Sequence, residues 1–214
     1  AQINTAYSAT SDVFVNLGLN AASCDVVIGD NTINIPAYLF YCDGSEDDAN
    51  GITSVTIGNS IETIGTYAFY NCSKVISLHI GTGVTNIGAS AFAGCTGVQT
   101  LNYNANITTD FTSSSNIFTN IGLNNVAQTA TTTLASARLT ETATATGCNV
   151  VIGDNVENIP AYLFYCTDTT TGANGITSVT IGNNVTTIGE SAFKNCSGLT
   201  AIHVPATLTT SNSG

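Results

Sequence analysis

Basic side chains are nearly absent: Lys74, Arg138 and Lys194 stand against fourteen acids, for a net charge of −11. A protein that grips phosphates needs a stripe or patch of Lys and Arg. No such stripe can be drawn through three scattered bases, so nucleic acid and anionic membrane surfaces are excluded as partners. Charge of either sign is scarce at 8% of residues, and the sequence has no Met, no Trp and three prolines. No apolar run reaches the roughly 18 residues of a spanning helix, so no insertion into a membrane is expected within this chain. Ala1 opens no signal-peptide pattern and no initiating Met is present, so the sequence reads as a processed or trimmed piece. Chemistry-bearing motifs are missing too. There is no Gly-x-Ser-x-Gly elbow with a base partner and no glycine-rich phosphate loop before a helix, so neither catalysis nor a cofactor is expected.

Repetition is what the sequence has in abundance, and on two scales. Ile52-Thr53-Ser54-Val55-Thr56-Ile57-Gly58 returns as Val75-Ile76-Ser77-Leu78-His79-Ile80-Gly81, an offset of 75 − 52 = 23. It returns again as Ile176-Thr177-Ser178-Val179-Thr180-Ile181-Gly182, an offset of 176 − 52 = 124. A period near 23 marks a solenoid, in which each unit is too small to bury a core and stacks on its neighbours. With Ile52 as position 1, apolar residues fall at 1, 4, 6, 10, 13, 17, 18 and 21. In the first unit these are Ile52, Val55, Ile57, Ile61, Ile64, Ala68, Phe69 and Cys72. Positions 4 to 6 alternate apolar and polar among β-branched residues, which predicts a strand with one buried face. Gly58-Asn59 and its equivalents are turn chemistry, and a second short extended segment follows. Ala-Phe-x-x-Cys then presents inward residues at helical spacing, which predicts a short helical turn.

These patterns predict one solenoid domain over 1–214. Its regular units are 52–74, 75–97 and 176–198, with variant units at 23–51 and 147–175 and a partial unit at 199–214. Each variant unit runs through Ile-Pro-Ala-Tyr-Leu-Phe-Tyr-Cys and then carries a loop, Asp43–Gly51 or Thr167–Gly175. Residues 1–22 and 98–146 are irregular. Val13-Phe14 resembles Ile117-Phe118, but the second copy takes 20 more residues to reach its Cys-x-Val-Val. The excess is either a projecting loop or an irregular extra coil.

The pattern (Leu/Ile/Val)-x-x-(Val/Leu)-x-Ile-Gly … Val-Thr-x-Ile-Gly … Ala-Phe-x-x-Cys resembles the BspA-like leucine-rich repeats of bacterial surface proteins. The likeness is dense over 52–101 and 176–208, looser over 24–42 and 148–166, and poor over 102–147. It implies an extracellular, right-handed leucine-rich-repeat coil of short parallel strands, often part of a larger protein. It also implies adhesion to host or partner proteins, and it brings no catalytic residues. Isoleucine stands where generic leucine-rich repeats have leucine, and their asparagine ladder is absent.

Three residue groups invite chemical readings. His79 and His203 are offset by 203 − 79 = 124, so they are one outward position in two copies, too far apart to share a metal. Asp43, Glu46, Asp47 and Asp48 could offer oxygens to calcium, but the duplicate loop has lost the acids, which favours a solvated loop. Tyr38, Tyr67 and Tyr162 share one position and Tyr41, Tyr70 and Tyr165 another. Such a column either stacks on sugars or covers the core edge with its hydroxyls in water.

The cysteines divide in two. Cys72, Cys95 and Cys196 sit at a core position and read as buried thiols. Cys24 with Cys42, and Cys148 with Cys166, are pairs 18 apart, and only the variant units have them. Each is a candidate disulfide, unless duplication merely copied two unpaired thiols. Phe40, Phe69, Phe92, Phe164 and Phe193 all fall at position 18 and predict a stacked spine.

The expected contact surface is the outward face of the first strands: Thr53, Ser54, Thr56, Ile76, Ser77, His79, Gln99, Thr100, Asn102, Thr177, Ser178, Thr180, Thr200, Ala201 and His203. Together these readings predict an extracellular or cell-surface module that binds a protein ligand, host or bacterial. A passive spacer in a larger surface protein and a carbohydrate-binding module are the alternatives.

Overall fold

The computed structural model describes residues 7–11, 13–14, 16–29, 31–43, 50–123, 147–167 and 174–208. Glu46, Asp47 and Asp48 of the acidic loop, most of the 167–175 loop and residues 124–146 lie outside the described residues. Short strands follow one another along the described chain. They are β1 (Asp25–Ile28), β2 (Asn34–Ile35), β3 (Ser54–Ile57), β4 (Thr63–Ile64), β5 (Ser77–Ile80) and β6 (Asn86–Ile87). Then come β7 (Thr100–Tyr103), β8 (Cys148–Ile152), β9 (Asn158–Ile159), β10 (Ile176–Thr180), β11 (Thr187–Ile188) and β12 (Ala201–His203).

The first strand of every coil joins one parallel seven-stranded sheet, ordered β1-β3-β5-β7-β8-β10-β12. Its register carries the sequence period: Ser54 pairs with Ser77, and Ser77 with Thr100, so the offset is 77 − 54 = 23 and then 100 − 77 = 23. In the variant coils Asp25 pairs with Ser54 and Asn149 with Ser178, an offset of 29. The fold is thus a leucine-rich-repeat solenoid, mostly strand and turn. The second extended segments form a smaller sheet, β2-β4-β6, and a pair, β9-β11. Between them the coil after β7 contributes no paired strand. Asn158 donates its side-chain amide to the Ile107 carbonyl at 3.3 Å, and Asp110 accepts the Ala161 N–H at 2.9 Å.

Thr100 pairs directly with Asn149, so no additional strand stands between β7 and β8. The stretch after Asn102 therefore closes a single coil. Phe118 supplies its ring to the stack.

The apolar positions meet inside. Ile52, Ile57, Ile61, Ile64, Ala68 and Cys72 are all fully buried. The phenylalanine spine is longer than the five rings expected. Successive centroids stand 4.9 Å apart from Phe14 to Phe40 and from Phe40 to Phe69, then 5.3 Å to Phe92 and 5.4 Å to Phe118. The stack continues 5.2 Å to Phe164 and 5.2 Å to Phe193. Every phenylalanine of the chain except Phe111 is in it.

The predicted helical turn takes another form. Tyr67 and Asn71 have φ of 56° and 55°, in the left-handed region, so the segment cannot wind as a helix. Instead its amides alternate. Those of Ala68, Tyr70 and Cys72 close local turns at 3.2, 3.2 and 3.3 Å. Those of Tyr67, Phe69 and Asn71 reach the carbonyls of Ala89, Ala91 and Ala93 on the next coil at 3.1, 2.8 and 2.8 Å. The turn side is therefore a second hydrogen-bonded ladder between coils, which leaves few buried amides unpaired.

All seven cysteines are free thiols, and the expected bridges Cys24–Cys42 and Cys148–Cys166 do not form. The reason is direction along the solenoid axis. Cys24 faces the preceding coil, where a Cβ added to Gly18 would overlap its own, and Cys148 meets Gly122 in the same way. Cys42 faces the following coil: Asn50 donates its side-chain amide to Cys42 Sγ at 3.0 Å and to Cys72 Sγ at 3.3 Å. Asn174 repeats the contact with Cys196 at 3.3 Å. Asn50 and Asn174 are buried, with 3% and 2% of their surface exposed, and each carboxamide oxygen accepts an N–H from the residue two places on. The Cys72 and Cys95 thiols are buried as expected, whereas Cys196 is half-buried.

Four outcomes follow from this packing. Phe92→Ala opens a gap in a continuous stack and is expected to cost about 3–5 kcal/mol, whereas His79→Ala leaves the melting temperature almost unchanged. Equal melting temperatures would refute the register. Tyr103 is fully buried where most other coils carry isoleucine, and its hydroxyl has no partner. Tyr103→Phe should therefore stabilise the protein by about 1 kcal/mol; a drop in melting temperature would count against that burial. Seven thiols should titrate in the denatured, unreduced chain, and a count of three would restore the bridges. Finally, burial pushes the Cys148 and Cys166 thiols up to about 12. Unfolded thiols ionise near about 8.5, so the unfolded state loses protons first and stability should fall as pH rises past that value. A melting temperature flat to pH ~10 would contradict it.

Candidate functional site

Side chains alternate along each first strand, one inward and the next outward. Parallel pairing, in constant register from the first outward position onward, then stacks the outward ones in columns. One column runs Asp25, Ser54, Ser77, Thr100, Asn149, Ser178, Ala201. The next runs Val27, Thr56, His79, Asn102, Val151, Thr180, His203. Thr53, Ile76, Gln99, Thr177 and Thr200 stand one residue ahead of the first column. Ten of the fifteen sequence-derived face residues thus stand in these two columns, and all fifteen are half-buried or exposed.

Four members of the columns were missed: Asp25, Val27, Asn149 and Val151. Their signal was present, because Val26 and Ile28 align with Val55 and Ile57. Val27 is the most exposed large apolar side chain of the face at 72%, and Ile76 follows at 46%. A register shift between Ile176 and Ser178 leaves Thr177 opposite no partner of its own. Neighbouring side chains tie the first column together. Ser54 donates to Asp25 Oδ1 at 2.5 Å and Ser178 to Asn149 Oδ1 at 2.6 Å. His79 and His203 lie in one column but four strand steps apart, about 19 Å at 4.8 Å per step, so they cannot share an ion. The seven strands span roughly 29 Å, and four residues of each span roughly 13 Å.

The turn side carries the tyrosines. Tyr38 stacks on Tyr67 at 5.1 Å and Tyr41 on Tyr70 at 5.4 Å, with Tyr67 and Tyr70 edge-on at 5.2 Å. The next coil has Ser90 and Ala93 at these positions, so the rings stop. A hollow of about 180 Å³ opens beside Tyr70, lined also by Asn71, Asn116, Thr119 and Asn120. It has no charged lining, and Asn120 Oδ1 is buried there without a partner. Among the described residues no three His, Cys, Asp or Glu side chains gather as a metal site. No helix among them is long and apolar enough to cross a membrane.

A family model described as the BspA type leucine rich repeat region, in six copies, matches residues 34–170 and 171–214. No curated protein matches the chain. Solved structures similar to it include the leucine rich repeat protein of T. pallidum, at 14% identity and a TM-score of 0.42, over 94% of this chain and 72% of that one. A leucine rich cell surface protein of Faecalibacterium prausnitzii A2-165 shows 18% identity and a TM-score of 0.35, over 86% of this chain and 42% of that one. A leucine-rich repeat protein of Bacteroides ovatus shows 13% identity and a TM-score of 0.37, over 86% and 56%. The chain thus spans about half the length of the last two. Its repeat pattern, carried by the family model from residue 34 to the end, makes the chain a member of the BspA-type leucine-rich-repeat family.

Proposed function

We propose that the chain is a non-catalytic, cell-surface module that binds a protein partner through the outward face of its first strands. The observation that carries this reading is the continuity of that face. Seven strands present unbroken, almost uncharged columns of Thr, Ser and Asn, with Val27 and Ile76 as exposed apolar points. Such a surface recognises by shape and hydrogen bonding, because it has little charge with which to steer an encounter. Surface location is supported by family membership and by the description of the Faecalibacterium prausnitzii protein as a cell surface protein.

The size of the face sets its strength. About 29 by 13 Å is roughly half the 800 Å² that each partner commonly buries in a stable complex. The face therefore suits a weak contact that gains strength when repeated. A second reading, sugar binding, draws on the uncharged hollow beside Tyr70, whose ring turns its open side away from the Tyr41 stack. A spacer role draws on the stacked core alone.

An array of host extracellular and bacterial surface proteins should yield a ligand whose affinity drops at least about tenfold, or 1.4 kcal/mol, in Thr56→Lys plus Thr180→Lys. Both threonines are exposed, so the fold should survive. Affinity that ignores the lysines and vanishes in Tyr70→Ala would move the site to the turn side. An array without ligands would leave the spacer.

A further inference from the structure

The turn side repeats its tyrosines up to the middle of the stack, where two coils break the pattern. Tyr41, Tyr70, Ala93 and Thr119 hold one position in four successive coils. The backbone ladder fixes that alignment: the N–H of Cys42 donates to the Tyr70 carbonyl, that of Asn71 to the Ala93 carbonyl, and that of Gly94 to the Thr119 carbonyl. Tyr41 and Tyr70 stack at 5.4 Å with 11° between their planes. A further ring would lie on the far face of Tyr70, but Ala93 and Thr119 supply none. Tyr165 carries the ring again in the coil after Thr119. The hollow of about 180 Å³ stands in this gap, with Tyr70 lining it. Coils with paired strands flank it on both sides.

The rest of the lining can hydrogen-bond but carries no charge. Asn71, Asn116 and Asn120 bring carboxamides, and Thr119 brings a hydroxyl. Asn116 takes, at φ 48°, the left-handed position that Tyr38 and Tyr67 hold in the earlier coils, so a carboxamide replaces a ring there too. A Cβ at Gly94 would overlap Asn71 Oδ1, so the glycine lets that carboxamide lie across the gap. Asn120 Oδ1 is buried with no hydrogen-bond partner, an unfavourable state for an acceptor. With nothing holding that oxygen, the carboxamide can turn it toward a donor in the hollow.

We propose that the hollow is a subsite for one neutral pyranose ring, stacked on Tyr70 in the place of the missing tyrosine. A pyranose has C–H groups on its faces and hydroxyls around its rim. The C–H face suits the aromatic wall, and the rim meets carboxamides that both donate and accept. An aromatic ligand would match the wall but offer the amides nothing at its rim. Acidic sugars are disfavoured, because the lining has no cation and the chain carries a net −11. The hollow is smaller than the roughly 300–1,000 Å³ of drug-sized pockets, so one ring enters and the remainder of a glycan stays outside. A hexose has about twelve non-hydrogen atoms, which at the efficiency of ordinary ligands gives a Kd of about 2 mM. The proposal rests on the sugar-binding reading and is independent of the first-strand face.

Saturation-transfer-difference NMR of the 214-residue chain tests it, with methyl glycosides of glucose, galactose, mannose and N-acetylglucosamine titrated to tens of millimolar. At least one should saturate, with transfer strongest to the C–H groups of one ring face. Methyl glucuronide, the charged control, should bind more weakly than methyl glucoside. Ala93→Tyr supplies the missing ring, so it should fill the hollow and abolish binding without lowering the melting temperature. Tyr70→Ala should weaken binding at least about tenfold. Asn120→Gly, which accommodates the φ of 62°, should weaken it as well. Thr56→Lys plus Thr180→Lys should leave it unchanged. A glycoside that binds Ala93→Tyr and Tyr70→Ala as tightly as the parent chain would overturn the hollow as the site, while leaving sugar binding elsewhere. Absence of saturable binding by every glycoside would overturn both.

Discussion

Everything in this molecule depends on the contact between one coil and the next. A single repeat unit has too little surface to bury a core of its own, so each coil uses its neighbour as the missing half. Three parallel systems hold that contact at one spacing. The first strands pair backbone to backbone, the turn-side amides of Tyr67, Phe69 and Asn71 reach the following coil, and seven phenylalanine rings stack at 4.9 to 5.4 Å. Where the contact is interrupted, apolar surface appears at once, at Ile202 and Val204 at one end and around Ile28 at the other.

The turn side shows how that spacing is kept without a helix. A helical turn would spend its amides on its own carbonyls. Here the residue that would begin the helix is turned back in coil after coil, with Tyr38, Tyr67, Ser90, Tyr162 and Ser191 all at φ between 54° and 59°. A bulky side chain in that region costs about 1–2 kcal/mol. In return alternate amides point along the axis, and the tyrosines stack from coil to coil. The cysteines obey the same geometry. Cys42 faces forward and Cys24 backward, so the two members of a variant unit's pair do not meet as sulfurs.

Function follows from what the stack leaves outward. A strand that gives every second residue to the core has only its other residues to show, and in this chain those are Thr, Ser, Asn and a few apolar side chains. With so few Lys and Arg that surface carries little positive charge, and what it offers is hydroxyls and amides. The face is long and narrow, so under the proposed function its strength would grow with repetition more than with depth.

The sequence by itself determined the period, the buried positions and most of the outward face, because a repeated unit must meet the same neighbour in the same way each time. Ile57, Ile80, Ile152 and Ile181 could be placed inside without coordinates. So could five rings of the phenylalanine spine, Phe40, Phe69, Phe92, Phe164 and Phe193, while Phe14 and Phe118 were added by the structure. What only the tertiary structure decided were the features that depend on direction or on partners far along the chain. Spacing could not say that Thr100 pairs with Asn149, since that pairing skips the stretch 102–147, where the repeat pattern is poor. Nor could it say which way along the axis a sulfur faces, or that Asn50, read as part of an acidic loop, is drawn inside to hold two thiols. Both are settled by the neighbouring coil, which a single unit's pattern does not record.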